Sequence, residues 1–372
     1  LEQAVTSGNA DLATKLMASG ARGSAVLMAV RHGQKQLVLD LLQRGVPGCV
    51  TEGQGYEPSP LHVAAQLGQY QIARALLLHG VDRAALDRDG RTPLHLAARG
   101  GHLAVVDLIL SAGTSADYVN LRCYGDGDRD DIEGETALDL AAGSGHADVV
   151  KSLLGHGAAV GASDAGGLTA LHRLGSPLMI SAFRNNVDAV GVLLEAGACA
   201  NAAQKASGHT SLHLAIRSTD GMCCDTVRAL LRKGADADAA DAGGNSPLHW
   251  AAKLGGTAMS SKIVDILLRH GADETRANAF GHTAIEVIGM DRKGSQFLHE
   301  EAGQVRALLK NAPADRAWRR RGILVMCRAL ASIRRETVAG ASDHTAGVWG
   351  GWAARVLGLD DEFLFRTIVS FL

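Results

Sequence analysis

Hydrophobic residues in this chain recur in pairs of short helical patterns, and each pair is followed by a polar segment containing glycine. Residues 60–66 combine apolar side chains with an Ala-Ala pair, which predicts a thin helix that a neighbour can approach closely. Residues 72–77 place Ile, Ala and Leu on one helical face and predict a second helix. The pattern therefore predicts short helices in antiparallel pairs.

Each helix pair carries start and stop signals of its own. Ser59 and Thr92 stand before proline, which predicts an N-cap followed by the favoured first helical position. Gly68, Gly100 and Gly145 are expected to end first helices, and a glycine after each second helix is expected to form a left-handed C-cap.

The helix pairs are copies of one another. Ser-Pro-Leu-His at 59–62 recurs as Thr-Pro-Leu-His at 92–95, a period of 33 residues. Variants of this phrase begin at Thr136, Thr169, Thr210, Ser246 and Thr283. Leu-Leu-x-x-Gly closes the units at Gly45, Gly80, Gly157, Gly197, Gly234 and Gly271, with variants at Gly20 and Gly113. Residues 1–20 and 24–45 match the spacing of the repeat but lack its Thr-Pro-Leu-His phrase. With these two segments the chain holds about nine units, and the last of them ends near Ala312.

With this period and phrase, the chain resembles the ankyrin-repeat family over roughly four-fifths of its length. The resemblance implies an all-α solenoid of helix-turn-helix units with projecting hairpin fingers over residues 1–312. It places residues 87–91 at a finger tip. It also assigns hydrogen bonds between adjacent loops to the histidines of the phrase: His62, His95, His172, His213 and His249.

Departures from the period predict loops that distinguish individual repeats. The finger between Gly113 and Thr136 is 11 residues longer than the finger between 80 and 92, and it is acidic. The repeats at 212, 248 and 285 gain 3, 4 and about 7 residues between their helices. In the fourth phrase-bearing region, the first helix starts at either Thr169 or Ser176, since counting forward from Thr136 favours the former and counting back from Gly197 favours the latter.

The repeat pattern stops at residue 313, and residues 313–372 are predicted to be a basic helical extension that serves as a cap or a docking tail. Arginines interleaved with Trp318, Leu324, Leu330 and Ile333 predict an amphipathic helix that caps the last repeat. Residues 359–372 resemble the opening of an F-box, with Asp360 where proline is expected. The contact positions implied by that resemblance are Leu359, Glu362, Leu364, Ile368 and Phe371. A plain capping helix explains the same residues.

Composition limits the classes of partner and the cellular compartments that fit this chain. The formal net charge of −2 and pI near 6.8 argue against a nucleic-acid binder. Six scattered cysteines favour a reducing compartment, which predicts an intracellular protein in the cytoplasm or nucleus. No apolar run reaches the length of a membrane span. The chain starts at Leu1 within a repeat, which leaves open an upstream segment or targeting signal.

The sequence offers no catalytic, cofactor or metal constellation. Asp126, Asp128 and Asp130 imitate the start of a calcium loop, but Asp131 and Ala137 replace its required Gly and Glu. The histidines lack zinc-ligand spacing. Cys223 and Cys224, placed in an inter-helix insertion, lack flanking basic residues and are interpreted as spectators. We therefore expect neither enzyme activity nor a bound cofactor or metal.

The predicted function is a scaffold or adaptor that binds a partner protein on the concave surface made by fingers and first helices. The alternative is a substrate receptor of a ubiquitin ligase, with the F-box-like segment recruiting the ligase. The candidate partner-binding residues are Tyr56, Arg88, Asp89, Arg91, Arg99, Asp126, Asp128, Leu168, Arg173, Trp250, Phe280 and His282.

Overall fold

The computed structural model describes residues 1–18, 25–46, 58–113, 115–123, 134–160, 176–218, 223–254, 258–288 and 302–313. Within these ranges all regular secondary structure is helical. Isolated antiparallel bridges occur in the fingers, between Arg122 and Thr136, Ala203 and Thr210, and Ala277 and Thr283. The all-α prediction is confirmed. The chain divides into two compact units, Leu1–Cys199 and Ala200–Leu372.

The first unit contains helix pairs and one helix that lies in the long finger. Its helices are α1 Glu2–Thr6, α2 Ala10–Ala18, α3 Ala25–Arg31, α4 Lys35–Gln43, α5 Pro60–Gln66, α6 Tyr70–Leu78, α7 Pro93–Gly100, α8 Leu103–Ser111, α9 Ala116–Val119, α10 Ala137–Ser144, α11 Ala147–Gly155, α12 Pro177–Phe183 and α13 Val187–Glu195. Because α12 follows Ser176 directly, the structure places the first helix of this repeat in the Ser176 register.

The second unit has α14 Ser211–Arg217, α15 Cys224–Arg232, α16 Pro247–Lys253, α17 Ala258–Arg269 and a further helix, α18, over residues 302–313. Helix α17 has 12 residues where α15 has 9, so part of the predicted insertion lengthens the helix. The predicted location of Cys223 and Cys224, in an insertion between helices, was wrong. They are the N-cap and the first residue of α15, and both are buried.

In both units the first and second helices of successive repeats form two layers. The inner layer of the first unit runs α1, α3, α5, α7, α10 and α12, and the outer layer runs α2, α4, α6, α8, α11 and α13. In the second unit, α14 packs on α16 and α15 packs on α17. Fully buried leucines such as Leu61, Leu94 and Leu138 fill the space between layers. The alanine pairs that follow them are also fully buried, which lets inner helices approach closely.

Helices α5, α7, α10, α14 and α16 begin where the sequence predicts, and each of them carries a capping box. At Ser59, Thr92, Thr210 and Ser246 the N-cap side chain accepts a hydrogen bond from the third helical residue. That third residue is histidine, whose side chain accepts one from the N-cap backbone in return. Two of the amide groups that every helix start leaves unpaired are thereby satisfied.

Glycine after many of the described helices takes the left-handed conformation that most other residues avoid, and Asn185 takes it after α12. Gly45, Gly80 and Gly157 after second helices have φ of 76°, 77° and 89°. The expected role of Gly100 was wrong by one residue: α7 continues through Gly100, and Gly101, with φ 72°, ends it.

A row of polar side chains ties the outer helices α4, α6, α8, α11 and α13 to the preceding repeat. Gln34, Gln69, His102, His146 and Asn186 cap the outer helices and hydrogen-bond to carbonyl oxygens at the end of the previous inner helix. The distances run from 2.8 Å for Asn186 to Ala142 O to 3.1 Å for His146 to Arg99 O. These contacts satisfy carbonyl groups that a helix end leaves free.

Candidate partner-binding surface

The finger tips are closed turns built on one acidic or amide side chain each. Asp87 accepts hydrogen bonds from the amides of Asp89 and Arg91, at 3.0 and 2.8 Å. Asp241 and Asn278 occupy the same position in later fingers and accept from the amides two and four residues on. Such a turn fixes the backbone, so the tip side chains point outward from a rigid support.

Buried histidines fix four of the described fingers to the repeat before each of them. The Nε2 atoms of His62, His95, His213 and His249 lie 2.9–3.2 Å from a carbonyl oxygen in the next finger. A carbonyl oxygen only accepts, and Nδ1 accepts from the N-cap amide, so Nε2 carries the proton and the ring is neutral. The inter-loop role implied by the family resemblance is present at these four histidines. Burial agrees with the neutral form, since it lowers the pKa of His95 and His213 to about 4.

Two predicted site residues receive these bonds through their backbone. His62 donates to the carbonyl oxygen of Arg91 at 2.9 Å, and His249 donates to that of His282 at 3.0 Å. The side chains of Arg91 and His282 therefore project from anchored backbone.

In the first unit, two of the predicted arginines, Arg91 and Arg99, act electrostatically on the carboxyl group of Glu135. Burial and nearby Asp139 raise the pKa of half-buried Glu135, whereas the charges of Arg99, Arg184 and Arg91 act in the opposite direction. Arg91 also pairs with Asp89 at 2.7 Å. Arg88, Asp89 and Arg99 are exposed. Sequence reasoning missed Glu135 and Arg184.

In the second unit, Trp250 departs from the pattern of the inner helices. In five of the other described repeats the equivalent positions hold aliphatic side chains that are at most 8% exposed: Val63, Leu96, Leu140, Ile180 and Leu214. The first two repeats instead hold exposed Gln3 and half-buried Met28. Trp250 is only half-buried, so part of its ring is exposed on the surface of the inner helices. Its indole nitrogen donates a hydrogen bond to Asp241 Oδ2 at 2.8 Å, which fixes the ring against the finger.

Trp250 lies at the centre of a group that we call the Trp250 cluster: His209, Arg217, Asp241, Trp250 and Lys253. The Arg217 guanidinium carbon lies 5.2 Å from the centroid of the Trp250 ring, and the Lys253 ammonium nitrogen lies 5.1 Å from it. His209 meets the ring edge-on at 5.4 Å. Both cations are within cation–π range of the ring.

The cluster arises from the register of the repeats. Arg217 and Lys253 are the last residues of inner helices α14 and α16 and occupy equivalent positions in adjacent repeats. His209 stands just before the N-cap of α14, as His282 stands just before Thr283. Trp250 was predicted from sequence, and its four companions were not. Alignment of the repeats does place Arg217 and Lys253 at equivalent positions, the ends of α14 and α16.

The remaining predicted residues are placed as follows. Phe280 is 77% exposed at the tip of the finger that begins with Asn278, and His282 is half-buried. Tyr56, Asp126, Asp128, Leu168, Arg173 and the phrase histidine His172 lie outside the described residues. The F-box-like segment also lies outside them.

Among the described residues, no three His, Cys, Asp or Glu side chains are grouped so that they could hold a metal ion. None of the described helices combines the length and apolar character needed to cross a membrane.

Comparison with known proteins identifies the repeat. Models of multiple ankyrin repeats match residues 26–120, 121–174 and 173–241, and a model of a single ankyrin repeat matches residues 243–279. The chain belongs to the ankyrin-repeat family. Solved structures with the same fold include the human ASB11 ankyrin repeat domain and the ankyrin repeat domain of Bcl-3. They are 25% and 26% identical to this chain, with TM-scores of 0.52 and 0.50. They match 68% and 69% of this ankyrin protein and 97% and 100% of their own chains.

Curated relatives match shorter segments. The p105 subunit of nuclear factor NF-kappa-B from Gallus gallus is 33% identical over 193 residues, which are 51% of this chain and 15% of the relative. NF-kappa-B inhibitor alpha from Homo sapiens is 33% identical over 90 residues, 24% of this chain and 28% of the relative. A putative ankyrin repeat-containing protein from Treponema pallidum (strain Nichols) is 32% identical over 120 residues, 30% of this chain and 40% of the relative. This ankyrin protein therefore matches less than half the length of each relative.

Proposed function

We propose that this ankyrin protein is a scaffold or adaptor that binds a partner protein on its fingers and inner helices. The ankyrin repeat is a protein-interaction fold, and the observation that supports this particular surface is Trp250. An aromatic ring replaces a buried aliphatic side chain there and is held at the surface by a bond to Asp241. Exposed aromatic and arginine side chains are frequent energetic anchors of interfaces.

The binding mechanism is preorganisation. Finger turns, inter-repeat histidine bonds and capped helices hold the surface side chains before a partner arrives. Binding then costs little ordering entropy, and specificity comes from side chains that differ between repeats. Arg88, Asp89, Arg91 and Arg99 contribute in the first unit, and Trp250, Phe280 and His282 contribute in the second. Tyr56, Asp126, Asp128, Leu168 and Arg173 stay predicted contacts.

Replacing Trp250 with leucine tests this surface. Since leucine is the residue at three equivalent positions, we expect W250L to fold, with a loss of about 1–3 kcal/mol in the free energy of unfolding because Asp241 loses the indole donor. Partner proteins that the immobilised full chain captures are titrated onto wild type and W250L. We expect their affinity for W250L to be at least about tenfold lower. The matched control is L78S, which changes a side chain that is 77% exposed on outer helix α6. Partners that are lost from L78S and kept by W250L would assign binding to the outer helices instead.

The ubiquitin-ligase alternative rests on the F-box-like residues 359–372, in the proposed extension 313–372. Deleting residues 363–372 from the full chain should abolish association with a ligase adaptor and leave thermal stability nearly unchanged if the segment docks. A plain capping helix predicts the opposite pair of results. No catalytic function is proposed for either unit.

A further inference from the structure

We propose that the Trp250 cluster binds an acidic segment of a partner protein. A carboxylate of that segment would lie against Arg217 and Lys253, and an adjoining apolar side chain would lie on the exposed part of Trp250. This inference rests on the proposed function and adds the chemistry of the partner to it.

The two cations of the cluster are available for an anion. Arg217 is exposed, Lys253 is half-buried, and in the part of the chain that the structure describes neither forms an ion pair. The guanidinium of Arg217 lies 3.2 Å from His209 Nδ1, so the histidine helps to orient it. Both cations lie about 5 Å from the same ring, and an anion that reaches either of them has no paired carboxylate of the described residues to displace.

Asp241, the carboxylate of the cluster, is already committed elsewhere. Its side chain is 4% exposed, and it accepts hydrogen bonds from the amides of Gly243 and Asn245 and from the side chains of Trp250 and Asn245. Although burial acts to raise the pKa of Asp241, these bonds hold it below its usual value. Asp241 therefore shapes the finger and the ring, while its charge is turned away from solvent.

The aromatic ring adds a second requirement on the partner. Trp250 offers an apolar surface beside the cations, so a segment with an acidic residue next to an aliphatic or aromatic residue satisfies both features. Nucleic acid fits less well, because its affinity depends on many phosphates meeting an extended basic surface. The second unit instead carries exposed acidic residues, among them Asp225 and Asp236, and the whole chain has a net charge of −2.

The experiment is selection of random linear peptides displayed on phage against the immobilised full chain. Enriched peptides are synthesised, and their affinities are measured by fluorescence anisotropy for wild type and two double variants. R217Q/K253Q removes both cations of the cluster. The control K233Q/K262Q removes two exposed lysines from the second unit, one just after α15 and one in α17. Melting temperatures of all three proteins verify that each is folded.

We expect enriched peptides to pair Asp or Glu with an apolar residue, to bind R217Q/K253Q at least about tenfold more weakly, and to bind K233Q/K262Q as they bind wild type. Peptides that are neutral or basic, or that bind both variants equally, would overturn the acidic-segment proposal and leave the protein-binding function standing. Absence of any enriched peptide would count against both. Displacement of the peptides by a single-stranded oligonucleotide at equal concentration would reassign the cluster to nucleic acid and also overturn the proposal.

Discussion

Lowering the pH from 7 to 5 is expected to reduce the free energy of unfolding by about 4 kcal/mol through two buried histidines alone. His95 is 1% exposed and His213 is fully buried, and burial lowers the pKa of each to about 4. Each contributes about 2 kcal/mol over this interval. The pKa of His62 and of His249 is lowered by burial as well, so both act in the same direction.

The direction follows from proton binding in the two states. An unfolded histidine takes up a proton below its ordinary pKa of 6.5, whereas folded His95 and His213 stay neutral until about pH 4. Between these values the unfolded state binds more protons, so stability falls as the pH falls. Asp139 and Glu135 oppose this at lower pH, because burial raises the pKa of each and the folded state then binds protons more readily.

Urea unfolding followed by circular dichroism at both pH values measures the effect, and the variant H95Q/H213Q provides the comparison. Glutamine is accepted in a capping box but does not titrate, so the variant should be less stable at pH 7 and much less sensitive to pH. An equal loss of stability in wild type and variant would show that other groups govern the pH dependence.

Most of the helices could be predicted from sequence because each repeat carries local signals. Ser59 and Thr92 at helix starts act within one turn of chain, and their histidine partners lie three residues on. Glycines such as Gly80 and Gly145 act at a single position through their left-handed backbone. The error at Gly100 arises because two glycines stand in succession and either could end the helix, whereas the structure places the left-handed backbone at Gly101.

The candidate site was less predictable because it depends on contacts between repeats. Arg217 and Lys253 are 36 positions apart and meet at one ring only when α14 packs on α16. The sequence predicts Asp241 as a turn residue, and the structure shows that role. Its hydrogen bond to Trp250 could not be predicted, because it depends on how the finger packs against helix α16. Tertiary packing decides such contacts, and residue type alone does not.

Replacing Gly244 with alanine is expected to destabilise the second unit by about 3 kcal/mol, well beyond the cost of a left-handed alanine. The fingers of this unit stack backbone on backbone: the amide of Ala242 donates to Ser207 O at 2.9 Å, and the amide of Ala279 donates to Gly243 O at 3.0 Å. Gly244 has φ 71°, and a Cβ added there would lie 2.7 Å from the Ala279 amide nitrogen. Because that neighbour is backbone, the finger has to move.

Gly281 provides a matched control within the next finger. It occupies the same position, its φ is 79°, and a Cβ added there would meet nothing within 4 Å. G281A should therefore cost about 1 kcal/mol, the conformational penalty alone, so that the difference between the variants measures the contact between fingers. Urea unfolding gives both values, and hydrogen exchange at residues 241–250 should show greater opening in G244A. Since Asp241 holds Trp250 from this finger, G244A should also weaken peptide binding at the Trp250 cluster, whereas equal stability losses in the two variants would mean that the fingers adapt without strain.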